Sequence, residues 1–286
     1  MTVYAGIDIG GTSVKIGFFD ANRVLLRRET LPSVVGDPKT LADQIAAVVR
    51  QMPVDRIGVG TAGAVDPEKG LVTAGNLNWR EVPLRQLLEA RTGLPVRIDN
   101  DAQVALLAEW LSGACQGASN VVYLTLGTGI GGALILDGKP WRGHTHTAAE
   151  LGHIITHADG LPCSCSRRGC FEMYASASAL SRLGYGRSAK EIIDAAARQE
   201  AEPSRIFQSY LHELGIGLVT LIVVFNPEVI VLGGGISAAG DILLQGCRAE
   251  ISRQFAGRPG YFLGDIRLAR HGNDAGIIGA ALLAAI

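Results

Sequence analysis

The chain has 286 residues with 26 Lys and Arg against 27 Asp and Glu; nearly half are hydrophobic and 37 are glycine. Such a hydrophobic share excludes a disordered chain and supports one large or two modest buried cores, while the near-zero net charge argues against a nucleic-acid binder, which carries a basic face. No stretch approaches the roughly 18 unbroken apolar residues of a membrane span, and Met1-Thr2-Val3-Tyr4 puts no basic run ahead of an apolar one, so a cytoplasmic protein without a secretory signal or membrane partner is expected.

Taken in order, Val3 to Asp8 reads as a buried strand that Gly10-Gly11-Thr12 interrupts. Val14 to Phe19 and Val24 to Thr30 continue it as an antiparallel meander. A helix follows, with Asp37 as cap, Pro38 in its first turn and Leu41, Ile45, Val48 and Val49 on one face. Arg56 to Gly60 and Val96 to Asp99 are strand-like, Leu84 to Arg91 is helical, and Asp101 to Leu111 is a helix apolar almost all round, hence buried.

A second round then begins. Asn120 to Leu126 and Ile130 to Leu136 flank a glycine-rich turn, and His144 to Cys170 is irregular. Ala189 to Gln199, Arg205 to Phe225 and Ile242 to Phe255 read as helices, and Val229 to Leu232 as a strand ending in Gly233-Gly234-Gly235. Asp274 is placed to cap a last apolar helix that ends at Ile286. Two rounds of meander and helix predict an α/β protein of two related lobes with a ligand cleft between them.

The glycine turns are the first chemical signal. Neither Gly6-Ile7-Asp8-Ile9-Gly10-Gly11-Thr12 nor Gly127-Thr128-Gly129-Ile130-Gly131-Gly132 supplies the Gly-Lys-Ser/Thr of a P-loop. The second has dinucleotide-like glycines, but a strand follows instead of a helix. A strand–turn–strand tip exposes backbone N–H groups, and such concave clusters bind anions. One such turn alone reads equally as an ordinary hairpin; two together with Gly233-Gly234-Gly235 form a stronger set. Asp8, beside the first turn, reads either as a local turn acceptor or as an acid holding Mg²⁺ through water. Of five cysteines, Cys115 and Cys247 stand alone, while Cys163, Cys165 and Cys170 cluster and suggest metal or redox work.

Across its whole length the sequence resembles the ROK family of sugar kinases and related transcriptional repressors, which have the two-lobed actin-like ATPase (ribonuclease H-like) fold. The resemblance lies in Ile7 to Thr12, Gly58 to Asp66, Asn76-Leu77-Asn78-Trp79, Asp99-Asn100-Asp101-Ala102, Leu126 to Gly132, Glu150-Leu151-Gly152-His153, Cys163 to Cys170 and Val231 to Gly235. It implies lobes of 1–113 plus 275–286 and of 114–274. It also implies ATP with Mg²⁺ on Asp8, Gly10, Gly11, Thr12, Lys15, Gly127, Thr128, Gly129, Gly234 and Gly235, and a sugar on Gly63, Asn76, Asn100, Asp101, Glu150, His153 and Glu172. A homodimer is implied as well. Ser164, Ser166, His146 and Ala149 stand where many relatives have glycine.

His153 with Cys163, Cys165 and Cys170 is a four-ligand set suited to tetrahedral structural Zn²⁺, and Cys-x-Cys is not the spacing of dithiol oxidoreductases. The resemblance turns the second ring nitrogen of His153 toward the sugar; His144, His146 and His157 read as solvated loop histidines. Asp101, opening a helix, would ordinarily be a cap; the resemblance makes it the base that takes the proton of the sugar's primary hydroxyl. The expected activity is ATP-dependent phosphorylation of a hexose at the 6-hydroxyl, glucose first, with N-acetylmannosamine, N-acetylglucosamine and allose as alternatives. A repressor of the same family would carry a helix-turn-helix ahead of the first phosphate strand, for which the residues after Met1 leave no room. A non-catalytic sugar sensor would not need Asp101 or both phosphate turns.

Overall fold

The computed structural model describes residues 2–286 apart from 259 and 263. It divides into a first unit of Met1–Gly113, Arg142–Ala148 and Asn273–Ile286, and a second of Ala114–Trp141 and Ala149–Gly272. The expected second lobe thus loses 142–148 and 273–274, which pack with the first unit.

In the first unit, β1 (Val3–Ile9), β2 (Ser13–Asp20) and β3 (Leu25–Pro32) form the meander, and β4 (Arg56–Thr61) follows α1 (Pro38–Val49). Asp37 caps α1 by accepting from the Thr40 N–H at 3.0 Å, and Leu41, Ile45 and Val49 face the core. Three short strands, β5 (Ala64–Asp66), β6 (Leu71–Ala74) and β7 (Trp79–Val82), make a small antiparallel sheet that their brevity hid from sequence periodicity. α2 (Leu84–Thr92), β8 (Val96–Asn100) and α3 (Asp101–Ser112) complete the round. The main sheet runs β3-β2-β1-β4-β8, with β1, β4 and β8 mutually parallel. The central strands β1 and β4 are almost entirely buried, as parallel strands covered on both faces must be, whereas the edge strand β3 carries Arg27, Arg28 and Glu29.

The C-terminal helix, Ala275–Ala285, lies on this sheet. It can do so only because β1 and β4 present glycines: a Cβ on Gly6 would stand 1.9 Å from the Ile277 carbonyl oxygen, and one on Gly58 1.8 Å from that of Ala280. Asp274 sits at the N-cap position as expected, but its carboxylate pairs with Arg28 and does not cap.

The second unit repeats the plan. β9 (Val121–Leu126) and β10 (Ile130–Leu136) pair antiparallel, β11 (Lys139–Trp141) adds an edge, and β12 (Val229–Gly233) and β13 (Asp265–Leu268) continue in parallel, giving the order β11-β10-β9-β12-β13. The helices are α4 (Glu172–Ala175), α5 (Ala177–Leu183), α6 (Ala189–Ala197), α7 (Ala201–Phe225) and α8 (Asp241–Gln254). α7 starts four residues before the sequence reading, because Pro203 falls in its first turn, where a missing N–H is tolerated. By length and composition alone, α7 is the one helix among the described residues apolar enough to cross a bilayer, but Phe207, Tyr210, Leu214 and Leu218 are buried in the unit's core.

Candidate active site

In the first unit, the β1–β2 turn is closed by the Gly10 N–H donating to the Ser13 carbonyl at 3.0 Å. Ser33, which sequence reasoning passed over, clamps it from β3's end: its hydroxyl donates to the Gly10 carbonyl at 2.6 Å and its N–H to that of Thr12 at 3.1 Å. A Cβ on Gly11 would meet the Asn76 side-chain nitrogen at 3.1 Å, so the turn and Asn76 are neighbours. Asp8 lies one residue before the end of β1, opposite Lys15 in register. Burial, then the neighbouring Asp101, raise its pKa to about 6 against the pull of Lys15. The first turn of the C-terminal helix approaches so closely that a Cβ on Gly276 would stand 2.6 Å from an Asp8 carboxylate oxygen. Gly276 carried no signal in the sequence beyond its place in an apolar helix. Lys15 reaches the Asn273 carbonyl at 3.4 Å.

At the β8–α3 junction the cap is Asn100, not Asp101. Its side-chain oxygen accepts from the N–H groups of Ala102 and Gln103 at 2.9 and 3.3 Å, and its amide donates to the Gly63 carbonyl at 3.0 Å. Gly63 has φ +97°, and a Cβ there would lie 2.3 Å from the Thr73 carbonyl oxygen, so glycine is required. Asp101 is the first helical residue, and one of its oxygens accepts the Ala102 N–H at 2.9 Å. Burial raises its pKa, against the opposing hydrogen bonds from Ala102 and Asn100. A carboxyl shifted upward in this way is a stronger proton acceptor when ionised. The first unit therefore brings Asp8 and Asp101 within electrostatic reach of each other, Gly11 against Asn76, and Gly63 against Asn100.

In the second unit, the β9–β10 turn is held by the Gly127 N–H donating to the Gly129 carbonyl at 3.0 Å, and by Ala177 and Ser178 at the start of α5, which donate to the carbonyls of Gly127 and Thr128 at 2.8 Å each. At the end of β12, Gly234 has φ +80°, and a Cβ there would lie 2.5 Å from the Leu126 carbonyl oxygen. Gly235 opens a 3-10 turn, Gly235–Ala239, that borders a cavity of about 290 Å³. Ala177, Ala189, Lys190, Ile193, Gly235 and Ile236 are among its lining residues, and a flat heteroaromatic group suits that mostly apolar wall.

The irregular segment after β11 places one donor atom each from His153, Cys163, Cys165 and Cys170 within 4.8 Å of one another. The Cys165 and Cys170 sulfurs are 3.5 Å apart, and the Cys163 sulfur is 3.7 Å from His153 Nδ1. Tetrahedral Zn²⁺ with Zn–S of about 2.3 Å needs ligand–ligand edges of about 3.8 Å, so the set fits the ion with little movement. Nδ1 is the nitrogen that faces the sulfurs, leaving Nε2 as the free one. Arg167 pulls the Cys165 thiol down to about 6, whereas burial pushes Cys170 up to about 12. Glu172 stands between this cluster and the glycine turn: one oxygen accepts from the Cys163 thiol at 3.2 Å, and the other from the Ile130 N–H at 3.4 Å. His157, expected to be solvated, instead stacks on Tyr174 with ring centroids 3.9 Å apart and pairs with Glu213 at 3.4 Å. His146 keeps Nδ1 buried at a left-handed φ of +59°. Glu150 precedes the 3-10 turn Leu151–His153 and accepts the His153 N–H through its carbonyl at 3.0 Å.

Comparison with known proteins identifies relatives along the whole chain. The sequence profile of the ROK family matches residues 4–286. A glucokinase of Streptomyces coelicolor is 36% identical over 312 residues, covering 99% of this chain and 98% of its own. An N-acetyl-D-glucosamine kinase of Aliivibrio fischeri is 31% identical over 304 residues, covering 98% and 99%. Among solved structures, a ROK family glucokinase from Streptomyces griseus in complex with glucose and AMPPNP superposes with a TM-score of 0.85 at 34% identity, covering 99% of each chain.

Proposed function

Because this chain belongs to the ROK family, with the actin-like ATPase fold, and is an ATP-dependent sugar kinase, we propose that it transfers the γ-phosphoryl group of MgATP to the 6-hydroxyl of a hexose, glucose foremost. The observation that carries this reading is Asp101, a carboxylate whose pKa is raised by burial, at a helix start fixed by the Asn100 cap. Asp101 takes the proton of the sugar hydroxyl, the hydroxyl oxygen attacks the γ-phosphorus, and ADP leaves. Asp8 would hold Mg²⁺, which would offset the charge of the phosphates, and the turns at Gly10 to Thr12 in the first unit and at Gly127 to Gly129 in the second each offer backbone N–H groups to phosphate oxygens. Lys15 adds positive charge beside Asp8. The cavity beside Gly234 and Gly235 takes the adenine.

For the sugar, the proposed contacts are Gly63, Asn76 and Asn100 in the first unit, and Glu150, Glu172 and Nε2 of His153 in the second. His153, Cys163, Cys165 and Cys170 would hold Zn²⁺ in a structural role, since four protein ligands leave no position for water. An ATP-fed reaction of this kind places the protein in the cytoplasm. The higher identity to the glucokinase than to the N-acetylglucosamine kinase favours glucose.

The test is ADP release in the presence of Mg²⁺ across glucose, mannose, allose, N-acetylglucosamine and N-acetylmannosamine. The highest kcat/KM is expected on glucose. A higher value on an N-acetyl sugar would move the assignment to that substrate. Sugar binding with no ADP release from any of them would overturn the kinase chemistry proposed for Asp101.

A further inference from the structure

One charged pair in the first unit lies outside the groups assigned to ATP, sugar or zinc. Asp99 is the residue of β8 two before Asp101 and is only 4% exposed. Its carboxylate is gripped by Arg142: Nε donates to both oxygens at 3.2 and 3.0 Å, and Nη2 donates to one of them at 2.5 Å. The same carboxylate accepts the backbone N–H of Asn100 at 2.9 Å. Arg142 is also the first residue of the short excursion, Arg142–Ala148, by which the chain leaves the second unit and packs with the first. The excursion is closed at its base by the Ala148 N–H donating to the Arg142 carbonyl at 3.0 Å.

We propose that Arg142 is a positioning residue for the catalytic carboxylate, acting through Asp99. A buried carboxylate costs least when a cation stands beside it, and a guanidinium fork fixes its direction as well as supplying the charge. Asp99, so fixed, holds the Asn100 N–H. Asn100 in turn ties its side chain to Gly63 and to the first N–H groups of α3. Asp101 follows Asn100 directly and is the first residue of α3, so its position along the backbone is set by these bonds. Lysine at position 142 would keep the charge and lose the fork; methionine would lose both.

This inference rests on the reading of Asp101 as the base, and the experiment separates the two. The zinc-loaded full chain is assayed for glucose phosphorylation as Arg142→Met, Arg142→Lys, Asp99→Asn and Asp101→Asn, each checked for a cooperative melting transition and for bound zinc. Because misplacing a catalytic group by about 1 Å lowers rates about 100-fold, Arg142→Met is expected to lose about that factor in kcat while its KM for ATP stays within about two-fold. Arg142→Lys should recover about ten-fold of the loss. A merely structural role would lower melting temperature and raise the KM for ATP together, with no such split. If Arg142→Met folds and keeps kcat within about three-fold of the parent while Asp101→Asn is inactive, the positioning role is overturned and the base stands. If Asp101→Asn itself turns over normally, both fall. Should Arg142→Met not fold, Arg142→Lys and Asp99→Asn decide: a parental kcat in both overturns the proposal, and a kcat loss at unchanged KM for ATP supports it.

Discussion

The two ends of the chemistry are built by different physics. Around Asp8 and Asp101, order comes from packed regular structure: a five-stranded sheet, a C-terminal helix seated on Gly6 and Gly58, and a helix capped by Asn100. Around His153 to Cys170 the backbone has only isolated bridges, Ile155 to Cys170 and Pro162 to Arg168, and a single 3-10 turn. There, four donor atoms converge in a segment with little regular secondary structure. The first region holds carboxylates at the expense of their ionisation; the second gathers four donor atoms that could hold a metal. The comparison teaches that the first site draws its order from the fold, whereas the order of the second would come from the proposed metal.

The sharpest way to break that contrast is Asp101→Asn. It is expected to lower kcat by about 10³-fold, with a melting temperature no lower than the parent's, because the charge removed is one that burial opposes. A fall in melting temperature with kcat preserved would mean that Asp101 is a helix-start residue and no base.

Chelation of the metal, or Cys170→Ser, comes next. Loss of a structural Zn²⁺ is expected to expose the amides of residues 154–170 to hydrogen exchange by at least about 100-fold while β1 and β4 stay protected. Equal loss of protection in both regions would dissolve the distinction drawn above.

A smaller effect concerns Asp8, whose pKa rises from 3.8 to about 6 on folding. A raised acid pKa means that the folded state binds the proton more tightly. The associated stability is therefore present below pH 3.8 and is lost as pH rises through about 6. In metal-free protein, Asp8→Asn should thus raise the melting temperature at pH 8, by an amount worth up to about 3 kcal/mol, and not at pH 3.5. Activity should run the other way: with limiting Mg²⁺ it falls as pH drops below about 6, since only ionised Asp8 can hold the ion's water. A parental stability–pH profile in the variant would refute both halves.

The smallest effect is Ala149→Gly. Ala149 adopts φ +68°, a left-handed conformation that a Cβ disfavours, so glycine is expected to stabilise the start of the metal segment by about 1 kcal/mol in thermal or denaturant unfolding. A neutral or destabilising result would mean that loop entropy outweighs the relieved strain.

Much of the fold was legible because its signals are local. Asp37 and Pro38 mark a helix start, apolar runs mark β1, β9 and β12, and the clustering of Cys163, Cys165 and Cys170 points to metal or redox work. Other features had no local signal. Asp274 has the chemistry of a cap but finds Arg28, and His157 looked solvated until Tyr174 and Glu213 were brought beside it. The small sheet of β5 to β7 is too short for periodicity to register.

By itself, then, the sequence carried the main strands and helices, the glycine turns and the clustered cysteines, since each depends on residues near one another in the chain. Only the tertiary structure decided that Ser33 clamps the first turn, that Gly276 stands against Asp8, that Glu172 lies between the His–Cys cluster and the second turn, and that Arg142 grips Asp99. Those pairings join residues from 9 to 268 positions apart, or 23 and 43 for the two clamps, and are set by how strands and helices pack. No pattern along one stretch of chain encodes such a distance, because side-chain contact depends on the three-dimensional path and not on neighbouring sequence.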